Sequence, residues 1–239
     1  MKFLDLTLPK PTENLACDEA LLDACEAGEC DELLRFWEPL QMFVVLGYGN
    51  RTATEVNIDA CQAGGIPILR RCSGGGTVLQ GPGCLNYSVM LRIVESGQTH
   101  SISGTNRFVL DQNRRAFESL VKSQIDLQGQ TDLSICNLKF SGNAQRRKRN
   151  FLIFHGTFLL QFDIASIGKF LLMPSQQPEY RKQRTHEDFL TNLELSPEVV
   201  KRALQTQWQA TKPLHNLPAS RIKELSETKY LKDEWNFRL

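Results

Sequence analysis

Two guanidinium groups stand against three successive glycines in Arg70-Arg71-Cys72-Ser73-Gly74-Gly75-Gly76-Thr77. Glycines let backbone amides approach a ligand closely and take positive φ without steric cost. Arginine beside such a turn offers a planar fork for phosphate or carboxylate oxygens. A flexible hairpin has the same composition. Two phosphate-binding patterns are excluded: the Walker loop needs lysine followed by serine or threonine and then a helix, and a dinucleotide fingerprint also needs a helix. Here Gly76 runs into Thr77-Val78-Leu79, so the pattern reads as a strand-turn-strand cradle.

A second stretch, Lys139-Phe140-Ser141-Gly142-Asn143-Ala144-Gln145-Arg146, carries one lysine into a strand of mostly small or polar residues. A solvated strand-edge charge explains such a lysine. As a catalyst, a fixed ammonium touching a carboxylate and an α-phosphate together brings two repelling anions to reacting distance. The third stretch is Phe154-His155-Gly156-Thr157, within the otherwise apolar FLIFHGTFLLQF. A lone histidine there fits a core residue, yet the adjacent glycine reads as a gap in the sheet face that admits a ligand.

These side chains need a scaffold, and the 239 residues, 41% hydrophobic and 23% charged, suffice for one globular core. Net charge is +1, so the overall balance calls for neither nucleic acid nor a charged membrane. No apolar run has the length of a signal-peptide core or a membrane span, which places the protein in the cytoplasm. Seven cysteines without a CxxC pair suggest neither a disulfide framework nor a zinc site.

Residues 14–28 read as a helix stopped by Gly28, and residues 107–123 as a second. The runs LRFWEP, QMFVVLGYG, IPILRRC and CLNYSVMLRI read as strands. KFSGNAQRR and FLIFHGTFLLQF, around the polar KRN, read as a hairpin. Residues 163–172 follow as a helix, and composition breaks near Met173. Ser196-Pro197-Glu198 is a helix start, giving helices at 196–209 and 220–231. Runs of strands between helices predict an α+β domain with a core over 1–172 and a helical C-terminal extension over 173–239 packed on it.

In order, NLACDEALL, RRCSGGGTVLQGPGCLNYSVML, TDLSICNLKFSGNAQRR and FHGTFLL resemble the lipoate-protein ligase family of the biotin and lipoate ligase group, over roughly residues 12–172. The resemblance implies a central mixed or antiparallel sheet flanked by helices, like the catalytic core of biotin ligases and class II aminoacyl-tRNA synthetases. It implies that lipoate and ATP give lipoyl-AMP and pyrophosphate, and that a lysine of a lipoyl carrier domain then displaces AMP. By motif, Lys139 would be the catalytic residue. Arg71, Gly76, Thr77, Val78, Leu79 and Asn86, with Lys139, would bind the nucleotide. Gly74, Gly75, Ser141, Gly142, Ala144, His155, Gly156 and Thr157 would join Arg71, Gly76 and Lys139 around the acyl chain. Asp132 would help hold Mg2+. A monomer acting on a carrier protein is expected, with neither nucleic acid nor membrane as partner.

The chain departs from the family pattern in three places. Gln80-Gly81-Pro82-Gly83 stands where histidine and aspartate are common and looks like the turn of octanoyl transferases, which leaves octanoate beside lipoate as substrate. Thr131 replaces the usual asparagine before Asp132. The large C-terminal domain of some ligases has no counterpart, which leaves an accessory protein as a possible partner. The rival reading is an ATP-independent octanoyl or lipoyl transferase working through a thioester on Cys84 or Cys136. A biotin ligase lacks support, because its arginine-and-glycine biotin loop is not visible. The run Arg146-Arg147-Lys148-Arg149 is a candidate docking patch for an acidic carrier, or for RNA in a non-catalytic binder.

Overall fold

In the computed structural model, which describes residues 1–239, the strands are β1 (Lys2–Asp5), β2 (Leu33–Trp37), β3 (Phe43–Leu46), β4 (Ile68–Arg70), β5 (Val78–Gln80), β6 (Cys84–Arg92), β7 (Ile125–Gln128), β8 (Asp132–Ile135), β9 (Leu138–Arg147), β10 (Phe151–Leu159) and β11 (Lys212–Pro213). Eight form one mixed sheet in the order β11-β1-β2-β6-β10-β9-β8-β7, and β4-β3-β5 form a small second sheet. The β11–β1 and β1–β2 pairs are parallel and the rest of the large sheet is antiparallel. The architecture is α+β, as its alternation of helices and strand runs predicts.

Period-two alternation gives each face of the large sheet its own core. Leu34 and Phe36 of β2, Tyr87 and Val89 of β6, and Phe154 and Phe158 of β10 pack with Val109, Phe117, Val200 and Leu204 from the helices Ile102–Glu118 and Pro197–Gln207. The intervening residues face the helices Pro11–Glu26 and Ala219–Leu225. On that second face, cross-strand neighbours form three rows: Leu33, Met90, Ile153; then Arg35, Ser88, His155; then Trp37, Asn86, Thr157. The face thus turns from apolar to polar along the strands.

The first helix begins at Pro11, three residues ahead of expectation, because proline suits the first helical position and Glu13 accepts from the Lys10 amide. The second spans Ile102–Glu118 rather than 107–123, its start set by Ser101, whose hydroxyl accepts from the Gly104 amide. Exposed Ile102 and the first-turn glycine hid that start. Residues beyond 172 enter both cores, through Val200 and Leu204 on one face and Ile222, Leu225 and Tyr230 on the other. No helix is long and apolar enough to cross a membrane.

Candidate active site

A cavity of about 1010 Å³ opens over the polar rows of the large sheet. Every site residue that the family resemblance implies lines it except Gly74, which is exposed on the loop and turns its carbonyl to Arg71. Leu15, Trp37, Val45 and Val78 line one apolar part. Residues 172–190, beyond the compositional break, supply a further wall.

Lys139 reaches this cavity through a β-bulge. Between β8 and β9 the register shifts, with Leu133 opposite Ser141 but Ser134 opposite Lys139, so Phe140 is the extra residue. Ser141 lies opposite Phe158 and shares its core face, whereas Gly142 lies opposite Thr157 on the cavity face. Phe140, 0% exposed, also packs into the core, against Phe117 at 5.5 Å. Unbroken alternation would have put Lys139 on the core side with Ser141. Burying the Phe140 ring, worth about 1.5–3 kcal/mol, holds the bulge that turns the lysine outward.

The Lys139 ammonium lies 2.8 Å from Asp132 Oδ1, and Tyr180 donates to Asp132 Oδ2 at 2.8 Å. A Cβ at Gly142 would fall 2.8 Å from Lys139 Nζ. Gly142→Ala is therefore expected to displace the flexible end of Lys139 while sparing the fold. A displacement near 1 Å costs about 10²-fold in rate, and kcat measured beside thermal melting checks it: low activity with an unchanged melting point is the expected pair.

Gly156 lines the cavity, but the space left by its missing side chain is filled from the other face of the strand. A Cβ there would sit 1.8 Å from Asn143 Oδ1. The space belongs to the Asn143 side chain, which accepts from Tyr87 at 2.6 Å and donates to the Thr131 carbonyl at 2.7 Å.

The glycine turn is held by its own arginine. Arg71 donates to the carbonyls of Gly74 (2.6 Å) and Gly76 (2.8 Å) and to Ser73 Oγ (3.1 Å), so much of its fork is spent on the loop instead of standing open. Burial pushes its pKa down to about 10. Gly75 takes φ +86°, and its carbonyl crosses the place a Cβ on Gly47 would occupy. Gly47 escaped the sequence reading, although only glycine permits this crossing. Behind the loop, Arg70 donates to the carbonyls of Gly47, Asn50 and Asn236, tying it to the helix Asp233–Asn236.

Under the cavity runs a buried network that sequence reasoning missed. Arg35, 0% exposed, pairs with Asp18 at 2.5 Å and donates to Asn14 Oδ1 at 2.8 Å. Asp18 also accepts from Ser88 at 2.9 Å and lies 3.4 Å from His155 Nδ1, and His155 Nε2 is 2.5 Å from Ser73 Oγ. Burial alone would raise the Asp18 carboxyl; Arg35 and His155 outweigh it and hold the group below the usual carboxylate range. His155 is thus fixed at both ring nitrogens, linking the first helix to the glycine turn. The available signal was Asp18 and Arg35 interrupting apolar runs, which alone does not distinguish a site from a surface.

Nearby, Gln80, Asn86 and Thr157 satisfy one another in a closed set of three hydrogen bonds. For a metal, no three His, Cys, Asp or Glu side chains converge anywhere in the fold. Mg2+ held by one carboxylate and substrate phosphates is a common arrangement, and Asp132 fits it, with Lys139 and Tyr180 as the partners it would exchange.

The cysteines lie elsewhere. Cys84 is buried at the first position of β6, where burial pushes its thiol up to about 12, and exposed Cys136 sits at φ 52° in the β8–β9 turn. Neither lines the cavity. The basic run is also largely committed: Arg146 donates to the Cys72 carbonyl, Arg147 to those of Thr99 and His100, and Lys148 pairs with Asp23. It is not the open patch its sequence suggests.

Over 99% of this chain and 72% of the relative, the sequence is 29% identical to a probable lipoate-protein ligase A of Mycoplasma pneumoniae. It is 27% identical to the octanoyltransferase LipM of Kyrpidia tusciae, over 94% of each. A bi-partite lipoate protein ligase of Thermoplasma acidophilum, solved in work on its archaeal lipoylation system and E2 lipoyl domain, superposes with a TM-score of 0.82 at 22% identity, covering 99% of this chain and 95% of that one. The profile of the lipoyl protein ligase A/B catalytic domain matches residues 10–209, and the chain belongs to that family.

Proposed function

We propose that this enzyme is an ATP-dependent lipoate-protein ligase, which activates lipoate or octanoate as an acyl adenylate and transfers it to a lysine of a lipoyl carrier domain. The observation that carries the reading is Lys139, turned by the Phe140 bulge into a cavity that also holds the glycine turn and an apolar arm. Its ammonium would bridge the acyl carboxylate and the α-phosphate. Backbone groups of Gly76 to Leu79 would line the adenylate, with Asn86 beside them. Leu15, Trp37, Val45 and Val78 would cover the acyl chain and exclude the water that hydrolyses a mixed anhydride. Mg2+ would enter with ATP and be held by Asp132, offsetting phosphate charge. Work on the Thermoplasma ligase with its E2 lipoyl domain supports a carrier domain as acceptor. We assign the activity to the cytoplasm, where carrier and ATP are both at hand.

The likeness to octanoyltransferase LipM favours a second reading, transfer from an acyl thioester without ATP. The positions of Cys84 and Cys136 outside the cavity weigh against it. Purified protein given octanoyl carrier protein and a lipoyl domain, without ATP, is expected to transfer no acyl group, while lipoate with ATP and Mg2+ modifies the domain. ATP-free transfer abolished by Cys84→Ser or Cys136→Ser would establish the transferase instead.

A further inference from the structure

The wall formed by residues after 172 contains a cation with no part in the proposed roles of Lys139, the glycine turn or Asp132. Arg181 is 5% exposed and lines the cavity. Its Nε donates to the Arg184 carbonyl at 3.1 Å, and Nη2 meets only Met173 Sδ at 3.7 Å and His186 Nδ1 at 3.4 Å. The guanidinium stacks on Phe189, 4.8 Å from the ring centre. No carboxylate pairs with it directly; Asp132 acts on it only at longer range, and Lys182 and Arg184 beside it are positively charged. A buried cation without a counter-ion is costly and needs an explanation. Most other charged groups of the cavity are already matched: Asp18 by Arg35, Lys139 by Asp132, Glu55 by the Ser175 hydroxyl, and Arg71 by carbonyls.

The segment is fixed beside the reacting centre. Tyr180, the preceding residue, donates to Asp132, Arg184 donates to the Asn137 carbonyl at 3.0 Å, and the Thr191 amide donates to the Lys139 carbonyl at 3.0 Å. An anion held between Lys139 and this wall would supply the counter-charge that Arg181 lacks.

We propose that Arg181 binds the terminal phosphates of the nucleotide and takes up the pyrophosphate as it leaves. The inference rests on the ATP-dependent reading. In that step an oxygen of the acyl carboxylate bonds to the α-phosphorus as the bond from that phosphorus to the α–β bridging oxygen breaks. The electron pair departs on pyrophosphate, and no proton or further reactant is needed. Lys139 faces the forming bond and Arg181 the charge on the leaving group, where a planar donor suits phosphate oxygens.

The test uses the full chain, inorganic pyrophosphate as probe, and the variants Arg181→Gln and Arg181→Lys. Arg181→Gln is expected to raise the KM for pyrophosphate in lipoate-dependent ATP–pyrophosphate exchange by about tenfold or more, and Arg181→Lys by about threefold or less. Transfer from synthetic lipoyl-AMP to a lipoyl domain, which involves no pyrophosphate, should stay within about twofold of wild type in both. An unchanged pyrophosphate KM in Arg181→Gln, with exchange intact in the wild type, overturns this inference alone. A parallel fall in exchange and transfer also overturns it, since it marks Arg181 as a structural prop. A wild-type protein without lipoate-dependent exchange overturns both this inference and the ATP-dependent reading.

Discussion

Lys139→Ala is expected to lower lipoate-dependent ATP–pyrophosphate exchange by about 10³-fold with little change in stability. At about 4 Å and an effective dielectric near 20, an ammonium–anion contact is on the order of 4 kcal/mol. Removing a single preorganised donor from a reacting oxyanion costs about 2.7–4 kcal/mol in comparable cases. At about 1.36 kcal/mol per decade, that range corresponds to two to three orders of magnitude. Stability should barely respond, because the Lys139 side chain is 24% exposed and its single ion pair faces an open cavity. A variant that exchanges within about tenfold of wild type would remove Lys139 from the chemistry.

The second large effect is on stability. Asp18→Ala strands the fully buried Arg35 guanidinium beside an apolar residue, and breaking a buried pair from one side costs about 3–5 kcal/mol. It also frees His155 from one of its two anchors, so activity should fall beyond what unfolding explains. The pH dependence has a definite sign. Since the folded Asp18 carboxyl sits below its ordinary value, its stabilisation is complete above the unfolded carboxylate range, near pH 4, and is lost as pH falls through the folded value. The gap between wild type and Asp18→Ala in urea unfolding should therefore be widest at neutral pH and narrow on acidification. A constant gap from pH 7 to pH 2.5 would mean that the carboxylate contributes nothing as an ion.

Much of the scaffold was legible because local signals and tertiary demand agree. The hairpin over β9 and β10, the helix capped by Ser196 and the helix stopped at Gly28 each carry their own boundary chemistry. The site was legible as parts but not as an assembly. Strict alternation along KFSGNA sends Lys139 into the core; what reverses it is Phe140 filling a hole beside Phe117, a contact between residues 23 positions apart. Asp18 and Arg35 gain meaning only when a helix packs on a strand. The proline, glutamine and charge mixture after Met173 reads as the end of the core, yet it forms part of the cavity wall; its anchors at Asp132, Asn137 and Lys139 are distant in sequence. Gly156 was marked correctly as a place without a side chain, but the occupant is Asn143.

The most direct measurement is a crystal structure with a non-hydrolysable lipoyl-adenylate analogue. Lys139 Nζ is expected within hydrogen-bonding distance, about 2.7–3.2 Å, of oxygens on both the acyl and phosphate sides, released from Asp132, with the acyl chain running toward Trp37. An analogue bound away from the glycine turn, or a Lys139 ammonium still paired with Asp132 and touching neither oxygen, would contradict it.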